Sequence, residues 1–177
     1  MVEEYLDIYN EDGSPSGRKA EKKQVHQQGL WHRAVHVWFI NSKQELLLQL
    51  RSHLVDNHPS KWDISAAGHV SANESDLTSA LREAKEELGV VLRPEQLILI
   101  GTVKQQSERL NYINKEFNSV FIVKIDLAVS QFKKQVEEVD DLQWRFWREI
   151  ENKIDNNDPE YVPHPNEYQL LFDYLKS

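Results

Sequence analysis

The stretch "GHVSANESDLTSALREAKEELGVV", residues 68–91, decides how this 177-residue chain is read. From Ser75 to Leu88 the apolar residues Leu77, Ala80, Leu81, Ala84 and Leu88 recur at helical spacing. Ser75 or Asn73 stands where an N-cap is needed, and Gly89 follows the last turn. On a wheel advancing by roughly 100° per residue, Glu86 and Glu87 fall on either side of Glu83, on an arc beside the apolar stripe. Carboxylates are costly there. Like charges at such spacing repel, and the C-terminal end of a helix dipole disfavours negative charge. A solvated acidic face is the usual meaning of a charge run, but these glutamates adjoin the buried stripe instead of opposing it. Hard divalent cations such as Mg²⁺ take oxygen ligands, often one or two carboxylates plus substrate phosphates. A bound cation turns a destabilising cluster into a working one.

The rest of the composition fits a globular chain. The length suits one domain over 1–177 with a substantial core. No repeat, linker or low-complexity tract divides it. There are no cysteines, which excludes disulfides, thiolate metal sites and cysteine nucleophiles, and fits a reducing compartment. The acidic N-terminus "MVEEYLDIYN" predicts no signal peptide, and no segment is long enough to span a membrane. A cytoplasmic location is the expectation. With a formal charge of −8 and no dense Lys/Arg cluster, nucleic acid is not the expected partner. The same acidity would repel a phosphate ligand unless local cations intervene.

A coarse pass finds strands and helices mixed, with hairpins in place of strict βαβ alternation. "EYLDIY" reads as a strand, and the polar "EDGSPSGRKAEKK" and "ENKIDNNDPE" as turns or surface loops. "RAVHVWFI" (33–40) and "ELLLQLR" (45–51) read as a hairpin. "QLILIGTVKQQ" (96–106), "FNSVFIVKI" (117–125) and "LQWRFW" read as further strands, and "REIENKI" and "NEYQLLFDYLK" as closing helices. A mixed sheet covered by helices follows.

Residues 68–90 resemble the Nudix hydrolase motif: a glycine, five residues, a glutamate, seven residues, then Arg-Glu-aliphatic-any-Glu-Glu-any-Gly-aliphatic. Here these are Gly68, Glu74 and Arg82-Glu83-Ala84-Lys85-Glu86-Glu87-Leu88-Gly89-Val90. Every fixed position matches, with Ala84 the one small aliphatic. The resemblance implies an α/β fold, an α/β/α sandwich around a mixed sheet. It implies that Glu86 and Glu87 bind Mg²⁺ (or Mn²⁺) and that Glu83 binds metal or orients the attacking water. The Gly68 carbonyl would complete the metal shell, and Arg82 with Glu74 would fix the geometry of the motif. The implied reaction is attack of water on a small-molecule diphosphate, such as a nucleoside diphosphate derivative.

The flanks "VHQQGLWHRAVHVWFI", "ELLLQLRS" and "KWDISAAGHVSANES" resemble the branch that contains isopentenyl-diphosphate isomerase. By that resemblance His26, His32 and His69 fall near metal histidines, and Glu116 matches a catalytic or metal-binding carboxylate. The acid two residues earlier is Asn114 here. The isomerase cysteine is replaced by Ala67. Moving an allylic double bond needs a proton donor and an acceptor on opposite faces, and without the thiol half of that pair is gone. Hydrolysis is therefore the leading expectation. Isomerisation and a non-catalytic diphosphate-binding module are the alternatives.

Other residues carry weaker signals. His36 reads as a half-buried strand residue, and His53, His58 and His164 as loop residues. Arg51 ends a strand leading towards the metal loop and is expected to reach a substrate phosphate. Lys61 flanks the same loop without an assigned role. Trp31, Trp38 and Trp62 read as core.

Overall fold

The long apolar run of "HRAVHVWFI" is buried on both faces, as expected of a central strand that has helices on either side. In the computed structural model, which describes residues 3–110 and 112–177, this segment is β3 (His32–Ile40) and the sheet is built around it. β3 runs parallel to β8 (Tyr112–Lys124), and β8 forms a long antiparallel hairpin with β7 (Ile98–Arg109). On its other side β3 pairs antiparallel with β6 (Ala66–His69).

The chain order begins with β1 (Tyr5–Tyr9), β2 (Pro15–Glu21) and α1 (Lys22–Gln28). After β3 come β4 (Glu45–Arg51), β5 (Trp62–Asp63) and β6, then α2 (Asp76–Leu88). The hairpin β7–β8 follows, then β9 (Val139–Phe146), α3 (Trp147–Asp155) and α4 (Pro165–Lys176).

Alternation along β3 sends side chains to two cores. Val35, Val37 and Phe39 pack with Ala80, Ala84 and Leu88 of α2. Trp38 and Ile40 pack with Trp147 and Ile150 of α3 and Tyr168, Leu171 and Phe172 of α4. Each fully buried side chain of this size contributes roughly 1.5–3 kcal/mol. The expected sandwich of helices around a mixed sheet is therefore present.

Two expectations need correction. The polar stretch read as a surface loop forms β2 and the start of α1. Among the described residues β2 pairs only with β1, and of its own residues only Ala20 is buried, so no alternation marks it as a strand. α1 buries only Val25 and His26, too few to show a helical period. The second concerns β3 and β4. They do turn back on each other, but their ladder holds only at Ile40 and Leu46. Beyond that point β3 takes β6 as its neighbour while β4 pairs with β5 and β9. The sheet splits there, and the polar side chains described next gather where it opens.

No helix among the described residues is long and apolar enough to cross a membrane.

Candidate active site

Helix α2 forms as its sequence dictates. Ser75 is the N-cap, its hydroxyl accepting a hydrogen bond from the Thr78 N–H at 3.1 Å. Gly89 ends the helix at φ +68°, a left-handed cap that glycine adopts freely. Glu83 and Glu87 are four residues apart, on the line that also carries Ala80 and Ala84, so both are carried inward with the apolar stripe. Glu87 is only 3% exposed, and its carboxylate accepts a hydrogen bond from the Ala67 N–H at 3.3 Å. Glu86 stays open to solvent. Of the three carboxylates expected beside the stripe, two are therefore buried and one lies at its rim.

Arg82 gathers this group. It donates to Glu83 at 2.6 Å, to Glu86 at 3.1 Å, to Glu74 at 3.4 Å and to the His69 carbonyl at 3.0 Å. It thereby ties the helix to the loop that starts at Gly68. Gly68 itself lies against Glu83. A methyl group built there would sit 2.0 Å from Glu83 Oε1. The burial of Glu83 raises its pKa to about 7, with Arg82 opposing and Glu86 adding to the rise. Burial likewise pushes Glu87 well above the usual carboxylate range, and the neighbouring charges of Glu83 and Glu138 push it further. The oxygen donors and their unbalanced negative charge fit a hard cation such as Mg²⁺.

A second group adjoins the first through the Gly68–His69 step. His26 from α1, His32 from β3, His69 from β6 and Glu116 from β8 offer ligand atoms that all lie within 4.8 Å of one another. Strand register accounts for the last three, His32 being paired with Glu116 and Ala34 with His69, while α1 supplies His26. His26 donates from Nδ1 to the Lys22 carbonyl at 2.8 Å, and His32 donates from Nδ1 to the Leu30 carbonyl at 2.9 Å. Each bond leaves the lone pair on Nε2, as outer partners of metal-ligating histidines do. Nε2 of His26, His32 and His69 are all buried without a hydrogen-bond partner. Those of His32 and His69 stand 3.4 and 3.5 Å from Glu116 Oε1. Bonds of roughly 2.1 Å at the tetrahedral angle place two ligand atoms about 3.4 Å apart. Burial lowers the pKa of His26 and, much further, that of His69, which keeps both rings neutral. The set fits a nitrogen-preferring transition ion better than Mg²⁺. Asn114 Oδ1 is a further buried oxygen without a partner.

Arg51 is held by two contacts, donating to the Asn57 carbonyl at 2.8 Å and to Asp63 at 3.2 Å. His164, expected in a loop, is instead buried at the start of α4, with Nε2 2.9 Å from Asp63 Oδ1. His36, expected half-buried, is 6% exposed and pairs with Glu167 of α4 at 2.5 Å. Glu167 also accepts from Trp38 Nε1 at 2.8 Å. These polar contacts dock α4 onto the sheet. No local pattern announced them, because the partners lie far apart in sequence. Trp31, Trp38 and Trp62 are buried as expected.

Asp63 yields a pH prediction. Burial works to raise its pKa, but His164 and Arg51 prevail and hold it at about 2, below the ordinary 3.8. A depressed carboxylate stabilises the fold above its unfolded pKa, and that stabilisation is lost as pH falls through the folded value. Between about pH 4 and pH 2 the protein is expected to lose on the order of 2 kcal/mol from this group. Urea unfolding across that window checks it. An Asp63→Asn variant should start less stable and show a shallower acid slope.

Comparison with known proteins agrees with this geometry. Residues 30–164 match the family model described as the NUDIX domain. The chain belongs to the Nudix family. This Nudix chain is 40% identical over 183 residues to Nudix hydrolase 3 of Arabidopsis thaliana, covering 99% of the chain but only 24% of that longer relative. It is 30% identical over 145 residues to an isopentenyl-diphosphate Delta-isomerase of Escherichia coli, covering 81% of the chain and 78% of the isomerase. A crystal structure from Deinococcus radiodurans superposes with a TM-score of 0.72, at 20% identity, over 94% of this chain and 97% of that one. At that identity the likeness speaks for the Nudix fold alone. Both branches weighed in the sequence are thus represented among the relatives.

Proposed function

We propose that this Nudix enzyme is a divalent-metal-dependent hydrolase that cleaves a diphosphate linkage in a small molecule. The observation that carries the reading is the burial of Glu83 against Gly68 and of Glu87 against the Ala67 N–H, with Glu86 at the rim. Glu83, Glu86, Glu87 and the Gly68 carbonyl would hold Mg²⁺. When bound, that ion would neutralise phosphate charge and ease deprotonation of the attacking water. Glu83, beside the ion, would accept the water proton or orient the attacking water. The water oxygen attacks phosphorus, the bridging P–O bond breaks, and the bridging oxygen leaves with the other phosphate. Arg82 does not touch the reacting atoms but holds Glu83, Glu86 and the His69 carbonyl in place. Arg51, whose charge acts on Glu87, would offer positive charge to the substrate phosphates. His26, His32, His69 and Glu116 would hold a second, transition-metal ion beside the box.

Ala67 argues against isomerisation. It occupies the isomerase cysteine position, directly before Gly68, and its side chain carries no proton to give or take. Glu116 remains, but without an acid or base partner at residue 67.

Phosphate release from a panel of diphosphates, with Mg²⁺ and with chelator, tests the reading. Turnover is expected only with metal, and no turnover on any substrate would sink it. Deuterium exchange from solvent into isopentenyl diphosphate at a catalytic rate would restore the isomerase alternative. Elemental analysis of the purified protein is expected to find stoichiometric transition metal, lost in a His32→Ala variant.

A further inference from the structure

We propose that Arg109 is a substrate-positioning residue that grips the outer phosphate of the diphosphate, acting with Arg51 and Lys61 as a cationic clamp over the two metal groups. The proposal rests on the diphosphate reading above.

Arg109 is the last residue of β7, paired across the hairpin end with Tyr112. The Tyr112 ring stacks on His26 at 4.4 Å between centroids and 18° between planes. The end of the hairpin is thereby fixed against the histidine group. From there the Arg109 guanidinium reaches the loop between β4 and β5, where Nη2 lies 2.7 Å from His58 Nε2. A guanidinium can only donate, so the His58 nitrogen accepts and its ring is neutral. Burial, with the Arg109 charge next, lowers His58 to about 4, which keeps it neutral across the physiological range.

The contact therefore leaves the Arg109 charge uncompensated. Among the described residues Arg109 and Lys61 form no ion pair, and Arg51 has Asp63 alone. Arg109, Lys61 and Arg51 all act on His58, with Asp63 opposing. Arg51 and Lys61 sit on the same loop, the Arg51 N–H donating to the Lys61 carbonyl at 2.9 Å and the Arg51 guanidinium to the carbonyl of Asn57, next to His58, at 2.8 Å. Three cations thus converge in a chain whose net charge is −8. Arg109 is exposed, so its guanidinium is open to a ligand. It is parked on a neutral imidazole with donor groups uncommitted, and a phosphate would bind it better.

Calorimetric titration of the full chain with imidodiphosphate, a non-hydrolysable probe, in the presence of Mg²⁺ tests the clamp. Loss of a charge-assisted hydrogen bond is expected to weaken binding about 10–100-fold in Arg109→Ala. Arg109→Lys should recover part of it, and His58→Ala, which frees the guanidinium, should bind at least as tightly as wild type. The thermal midpoint of Arg109→Ala should match wild type, since a purely structural latch would lower it. Equal affinity of Arg109→Ala and wild type overturns the proposal, as does a wild type that binds no imidodiphosphate. Arg109-dependent binding by a protein that hydrolyses no diphosphate upholds the clamp while overturning the hydrolase reading.

Discussion

Replacing Glu86 and Glu87 together by glutamine is expected to lower diphosphate hydrolysis by roughly a thousand-fold or more. Metal-based charge stabilisation is worth several kcal/mol in such reactions, and each 1.36 kcal/mol is tenfold in rate. The fold should survive. Glu87 is a buried carboxyl pushed towards its neutral form, so a neutral amide of the same shape removes a cost as well as a ligand. The variant should melt at or above the wild-type temperature in chelator while failing to turn over any substrate. Phosphate release and thermal unfolding, measured side by side, check both halves. Full turnover by the double variant would mean that the carboxylates are only a charged face.

Gly68→Ala is the second large effect, and it tests geometry rather than charge. The added methyl would sit 2.0 Å from Glu83 Oε1 and 2.1 Å from its carboxyl carbon. No relaxed contact is that short, so the carboxylate must swing away or the loop must lift from α2. Overpacking of this kind typically costs about 1–3 kcal/mol. The larger consequence is functional. A displaced Glu83 loses its contact with Arg82 and, on the proposed mechanism, its access to the attacking water. Activity is expected to fall by roughly a hundred-fold or more, as general-base catalysis typically contributes that much. The apparent Mg²⁺ affinity should fall with it. An active Gly68→Ala enzyme with unchanged metal dependence would remove Glu83 from the mechanism.

The two groups differ in how far they could be read from the chain. α2 was legible because everything that makes it is local: the 3.6-residue period, the Ser75 cap, the Gly89 terminator and the glutamates between them lie within 15 residues of one another. β3 and the apolar parts of β7 and β8 were legible for a similar reason, whereas the polar hairpin ends at 107–109 and 112–116 carry no apolar run and fell outside the expected strands. β2 and α1 were not, because one is an edge strand with little to bury and the other is too short to repeat a pattern.

The histidine group could be suspected only by resemblance. His26, His32, His69 and Glu116 come from four elements, and it takes the pairings of β3 with β8 and β6 together with the placement of α1 to bring them within 4.8 Å. Arg109 gave no signal at all in the sequence. Its meaning comes from the hairpin that sets it against His58, far away in the chain.

The sequence by itself determined the fold family, the carboxylate helix and, through Ala67, the absence of the isomerase thiol. Those are properties of residue type and short spacing, which the chain carries unfolded. Tertiary structure alone decided which carboxylates are buried, that three unpaired imidazole nitrogens and Glu116 converge, and where the uncompensated cations stand. Those depend on strand register and on the opening between β3 and β4, and therefore on contacts between residues that no local pattern connects.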